Sequence, residues 1–189
     1  MPQKFYLFDV MSTLVYDPFY KDLPVAFDTD LRTLLAGRDR MAWVDFECGH
    51  LSEAEFFQRF WGNDTDGLRM KHCFMNNYAW LEGIPELLQA IRAKGHFIAT
   101  ASNYPEWYDL IDAKLGLSLL VDQHFVSYQL RCRKPKSKFY FKILKALEVS
   151  PSECVFVDDR KDNVQAAEAL GMEGHHVQPG MPLGSVLRF

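Results

Sequence analysis

The chain has 189 residues, enough for one core domain with a modest insertion and too few for two independent domains of ordinary size. Hydrophobic residues make up 48% and charged residues 24%, the balance of a folded globular chain, and no low-complexity stretch interrupts them. A net charge of −4 leaves no basic surplus for nucleic acid or an anionic membrane, and no segment reaches transmembrane length. The most basic stretch, Arg131 to Lys138, reads on its spacing alone as a short solvated loop. Cys48, Cys73, Cys132 and Cys154 are scattered, with no C-x-x-C pair and no zinc-like spacing. Met1 to Phe5 runs directly into an apolar segment without a signal-peptide core. Together these features predict a cytoplasmic protein.

Phe5-Tyr6-Leu7-Phe8 is a continuous apolar run ending at Asp9, as expected of a strand buried on both faces. From Asp17 to Tyr78 the pattern turns helical. Leu31, Leu34 and Leu35 share a stripe, Trp43, Phe46 and Glu47 precede a C-terminal glycine at Gly49, and Ser52 with Glu55 forms a capping box. The expected organisation is a core of residues 1–16 and 80–189, with a helical insertion at 17–79. Ile84, Leu87, Leu88 and Ile91 line one helical face that stops at Gly95, and strand two follows at Phe97 to Ala101. Pro105 opens a helix ending at Gly116. A strand near His124 to Val126, a helix from Ser137 to Leu147 and a strand at Cys154 to Val157 come next. A helix through Val164, Ala167 and Leu170 ends at Gly171, before a weak final strand at His176-Val177. Strands alternating with helices predict an α/β fold with a doubly wound parallel sheet.

In such a sheet the ligand crevice lies beyond the carboxyl ends of the strands. Strand one delivers Asp9, strand two delivers Ser102-Asn103, and the Cys154 strand delivers Asp158-Asp159. Each group alone has an ordinary structural explanation as a cap, turn or solvated loop. Jointly they are expected to converge on one crevice. Adjacent His175 and His176 would point to opposite faces of a strand and are read as structural. Tyr104, Trp107 and Tyr108 follow the Ser102-Asn103 turn, where they are placed to line the crevice mouth, but packing against the sheet is the favoured reading.

Phe8-Asp9-Val10-Met11-Ser12-Thr13-Leu14 resembles the first motif of the haloacid dehalogenase-like (HAD) hydrolases, with Thr four positions after the Asp. Ala99 to Ser102-Asn103 is similar to the second motif, and Arg133-Lys134-Pro135 to the third. Val155 to Asp158-Asp159, with Asn163 and Leu170-Gly171-Met172, resembles the acidic fourth. Trp43 to Ser52 is similar to the helical cap of sugar-phosphate phosphatases and of the N-terminal phosphatase domain of soluble epoxide hydrolase.

The resemblance implies a Rossmann-like core with Asp9 as nucleophile and Thr13, Ser102, Asn103 and Lys134 in the catalytic set. It also implies a Mg²⁺ ion held by Asp9, the Met11 carbonyl and Asp159, with Asp158 and Asn163 supporting from behind. Three acids in one crevice independently call for a cation. The departure is Met11, which stands where phosphatases of this family carry a second Asp to protonate the leaving alcohol and activate water. Loss of general acid–base catalysis costs about 10²–10⁴ in rate, roughly 3–5 kcal/mol of barrier. Three readings follow. The favoured one is phosphatase-type chemistry on a small phosphorylated molecule. The second is a metal-independent 2-haloacid dehalogenase, whose branch lacks that acid, with Arg32, Arg38 or Arg40 holding a substrate carboxylate. The third is a catalytically weak binding module. A monomer or homodimer, with no nucleic-acid or membrane partner, is expected in each case.

Overall fold

The computed structural model describes residues 2–178 and 183–187. Five strands, β1 (Phe5–Phe8), β2 (Phe97–Ser102), β3 (Gln123–Val126), β4 (Cys154–Asp158) and β5 (Glu173–His176), form one parallel sheet in the order β3-β2-β1-β4-β5. Chain order reverses at β1, the central strand, so the crevice of an open parallel sheet falls at its carboxyl end.

Five helices separate β1 from the next core helix: α1 (Asp22–Ala26), α2 (Leu31–Leu35), α3 (Arg40–Glu47), α4 (Glu53–Phe60) and α5 (Asp64–Asn77). The remaining helices are α6 (Ile84–Ala93), α7 (Tyr108–Leu115), α8 (Ser127–Leu130), α9 (Ser137–Leu147), α10 (Lys161–Glu168) and α11 (Leu183–Val186). No described helix is long and apolar enough to cross a membrane.

Alternation along the strands sorts the core into two layers. Tyr6 and Phe8 pack with Ile84, Leu87, Leu88 and Ile91 of α6 and Ile111 of α7. Leu7 and Phe156 turn to the other face, against Phe139, Tyr140 and Ile143 of α9 and Val164 of α10. Each fully buried Leu or Ile contributes about 1.5–3 kcal/mol of apolar burial.

The insertion shares the first layer. Trp43, Phe46 and Phe56 from α3 and α4 meet Trp107, which lies just before α7, at ring-centroid distances of 6.0, 5.3 and 6.0 Å. The insertion helices and the core therefore pack into one hydrophobic cluster. The Ser52–Glu55 capping box forms as expected at the start of α4.

Three expectations are corrected. The final strand is Glu173–His176 and leaves out Val177, whose N–H instead donates to the Asp158 carbonyl at 3.0 Å. Pro105 begins a turn, and regular helix starts at Tyr108. The basic segment is not solvated throughout: Lys134 is 1% exposed and Arg133 is half-buried. The four cysteines are free and buried.

Candidate active site

Strand register brings the acids together. Phe8 pairs with Val157 of β4, and the Asp9 amide donates to the Val157 carbonyl at 2.8 Å, so Asp9 and Asp158 leave adjacent strands side by side. After Asp9 the chain turns sharply. The Val10 carbonyl accepts from the amides of Thr13, Leu14 and Val15, and Ser12 adopts the left-handed conformation at φ 59°. The Met11 carbonyl accepts no backbone N–H among the described residues.

Lys134 reaches this cluster from the loop between α8 and α9. Its Nζ lies 2.8 Å from Asp9 Oδ1 and 2.6 Å from Asp158 Oδ2. Asn103, just past β2, fixes the Lys134 backbone twice: its Nδ2 donates to the Lys134 carbonyl at 3.1 Å, and its Oδ1 accepts from the Lys134 amide at 2.9 Å. Asp158 is fully buried and saturated, since both of its oxygens accept from Asn163 Nδ2 and Oδ1 also accepts from the Arg160 amide. Asp9 Oδ2 and the Asp159 carboxylate have no such partners among the described residues.

Burial pushes Asp9 up to about 8; Lys134 opposes the shift, while Asp158 and Asp159 add to it. Asp159 is raised by burial and by Asp158. Burial pulls the Lys134 ammonium down, but Asp158 and Asp9 more than offset it, so Lys134 stays charged. Three carboxylates whose oxygens lie within 4.8 Å of one another are thus offset by a single buried ammonium. The free Asp9 oxygen and the Asp159 carboxylate are oxygen donors of the kind that suits a hard cation such as Mg²⁺. Asp158 is already saturated by Lys134, Asn163 and the Arg160 amide.

The cluster opens into a cavity of about 300 Å³. Asp9, Met11, Asn103, Lys134, Asp159 and Asn163 line it, all named from the sequence. Thr13 and Ser102 do not. Both are 1% exposed, and their hydroxyls have no hydrogen-bond partner among the described residues.

Several cavity residues escaped sequence reasoning. Asp17 and Glu47 are two further acids, Arg133 and Arg160 two further cations, and Phe19, Tyr20, Trp43 and Phe74 give an aromatic wall joined by Tyr104, whose place at the crevice was the alternative to packing. Tyr104, read as packing, is both buried and part of this wall. Trp107 and Tyr108 are packing residues; the Tyr108 hydroxyl bonds Thr100 and His124. Arg32, Arg38 and Arg40 do not line the cavity. Arg38 instead stacks over Trp61 and donates to the Leu34 and Phe60 carbonyls. His175 pairs with Glu173, and His176 contacts the Asp159 carbonyl.

A doubly wound sheet carrying an aspartate and a buried lysine at the end of its central strand is the frame of an α/β-fold hydrolase. The sequence model of the haloacid dehalogenase-like hydrolases matches residues 6–171. Flavin mononucleotide hydrolase 1 of Arabidopsis thaliana, designated chloroplastic, is 41% identical over 170 residues, covering 89% of this chain and 69% of that protein. A sesquiterpene phosphatase of Aspergillus oryzae is 33% identical over 104 residues, 54% of this chain and 53% of that protein. A HAD family enzyme of Bacteroides thetaiotaomicron, solved with magnesium and inorganic phosphate, superposes with a TM-score of 0.79 at 17% identity, covering 99% of this chain and 100% of that one. The chain belongs to the haloacid dehalogenase-like hydrolase family and is an enzyme of that class.

Proposed function

We propose that the protein hydrolyses a small phosphate monoester through a covalent aspartyl intermediate on Asp9. The observation that carries this reading is the convergence of Asp9, Lys134 and the Asp158–Asp159 pair at the mouth of one cavity. Asp9 attacks phosphorus, and water later releases phosphate, dividing one hard step into two. Lys134 favours the ionised form of Asp9 against the pull of burial and meets negative charge on the transferring oxygens, while Asn103 and Asp158 hold it in place. The unpartnered buried hydroxyls of Ser102, at the end of β2, and of Thr13, in the Asp9 turn, lie outside the cavity lining, so neither meets the phosphoryl group in this arrangement. Magnesium on Asp9, the Met11 carbonyl and Asp159 would neutralise phosphoryl charge. The magnesium and phosphate bound by the Bacteroides enzyme support this assignment.

The cavity is charged at the Asp9 end and aromatic along Phe19, Tyr20, Trp43, Phe74 and Tyr104, which suits a planar leaving group. With the activity of the Arabidopsis relative, this makes flavin mononucleotide the first ester to test. The dehalogenase reading loses support, because the arginines it required in the insertion lie away from the cavity and two ionisable acids face any haloacid carboxylate.

The test is turnover of flavin mononucleotide, acetyl phosphate and 4-nitrophenyl phosphate, with and without magnesium, against 2-chloropropionate and an Asp9→Asn control. Magnesium-dependent phosphate release abolished by D9N is expected. Chloride release without magnesium favours the dehalogenase, and silence on every substrate leaves a binding module.

A further inference from the structure

Met11 supplies no proton, yet an alkyl leaving group needs one. Two carboxyls in the cavity lie outside the Asp9 cluster, Asp17 and Glu47. Glu47 is committed on both oxygens. Its Oε1 accepts from Trp43 Nε1 at 2.6 Å, and its Oε2 sits 3.0 Å from Arg133 Nη1, although the N–H is not aimed squarely at it. Burial raises Glu47 to about 7 against the pull of Arg133, so what sets it aside is geometry: both oxygens face fixed protein partners and neither is free for a leaving oxygen. Ser12 also lines the cavity, but a serine hydroxyl is too weak an acid for the task.

Asp17 is different. It is the first residue after the short bridges that tie Val15 to Trp80 and the Tyr16 amide to the Ala79 carbonyl, so its backbone is anchored to the core. Its Oδ1 accepts from the Phe19 amide at 3.0 Å, and its Oδ2 has no hydrogen-bond partner among the described residues. Asp17 therefore lines the chamber it shares with Asp9 and carries one fixed oxygen and one without a hydrogen-bond partner among the described residues.

We propose that Asp17, which lines the same cavity as Asp9, is the proton donor and acceptor that replaces the acid missing at Met11. The inference rests on the phosphatase reading and adds its missing step. As Asp9 bonds to phosphorus and the ester P–O bond breaks, the Asp17 carboxyl gives its proton to the departing oxygen, releasing an alcohol. In the second half, the Asp17 carboxylate takes a proton from the water whose oxygen attacks phosphorus. The bond to Asp9 then breaks, inorganic phosphate leaves, and both carboxyl groups return to their starting states. Burial pushes Asp17 up to about 6, against the Phe19 amide and with Asp159 adding to it, which places it in the range for exchange near neutral pH. Burial is the larger cause and does not depend on what occupies the metal-ligand cluster.

The experiment compares benzyl phosphate with 4-nitrophenyl phosphate, two esters of similar shape whose leaving groups differ in their need for a proton. kcat/KM reports steps through transfer to Asp9. For Asp17→Asn it is expected to fall about 10²-fold or more on benzyl phosphate and less than about 10-fold on 4-nitrophenyl phosphate. Glu47→Gln is expected to leave the ratio between the two esters at its wild-type value. A structural role for Asp17 would depress both esters equally, and that result, or an unchanged benzyl phosphate rate, overturns the proposal. A wild type inert on both esters with magnesium would instead overturn the phosphatase reading beneath it.

Discussion

Replacing Lys134 with methionine tests how the cluster is held together. The side chain is 1% exposed and bridges Asp9 and Asp158 at 2.8 and 2.6 Å. Methionine nearly preserves the volume and removes only the charge, leaving two neighbouring carboxylates in a buried site. Breaking a buried ion pair from one side costs about 3–5 kcal/mol. Without a cation Asp9 already carries its proton much of the time, since burial raises it to about 8, so about 3 kcal/mol is expected. For a chain of this length that lowers Tm by roughly 6–12 °C. The pH dependence has a definite sign. In the variant Asp9 loses the opposing pull of Lys134 and sits further above its unfolded value, so the native state binds more protons and its stability falls as pH rises. Urea unfolding at pH 5 and pH 7.5 should show a deficit against wild type that is larger at the higher pH. An unchanged urea midpoint, or a deficit that grows towards acid, would refute the reasoning.

Three further outcomes are expected. Magnesium should raise the Tm of the wild type, by the equivalent of about 2.7 kcal/mol at a hundred times its Kd, and raise that of Asp159→Asn far less, read by differential scanning fluorimetry. Glu47 is raised to about 7, by burial first and against the pull of Arg133, so the stability it lends below its unfolded pKa is lost as pH rises through 7. Glu47→Gln should therefore gain on wild type in urea unfolding between pH 5 and pH 8, and a parallel pair of stability curves would contradict that. Gly67→Ala in α5 improves helix propensity by about 1 kcal/mol, but the new Cβ would lie 2.2 Å from the Phe57 ring. Overpacking of about 1–3 kcal/mol should win, so a net loss is expected in denaturant titration.

What the sequence disclosed and what it withheld have a common physical origin. Strand one, the strand ending at Asp158 and the capping box at Ser52 rest on local periodicity and local hydrogen bonds, and they appear where expected. Asp9, Asn103 and Asp159 were legible because strand ends in a parallel sheet converge whatever their side chains, and Lys134 was legible only through the resemblance of Arg133-Lys134-Pro135 to a family motif. Asp17, Glu47 and Arg133 were not, because their place depends on how the insertion folds back. That path is set by the long-range aromatic packing around Trp107 and by contacts such as Ser127 Oγ donating to the Glu47 carbonyl at 2.5 Å. Gly49 marks the same closeness: a Cβ there would lie 2.6 Å from the Tyr128 carbonyl oxygen. Edge strand β5, carrying Glu, Gly and two His in place of an apolar run, gave a weak signal and was misplaced towards Val177.

The most direct test of the nucleophile is to quench the enzyme with acid during turnover of 4-nitrophenyl phosphate and magnesium, then map the adduct by peptide mass spectrometry. A phosphoryl group on the peptide bearing Asp9, absent from Asp9→Asn, is the predicted result. A phosphoryl group on any other residue, or an Asp9→Asn protein that still turns over the ester, would contradict it.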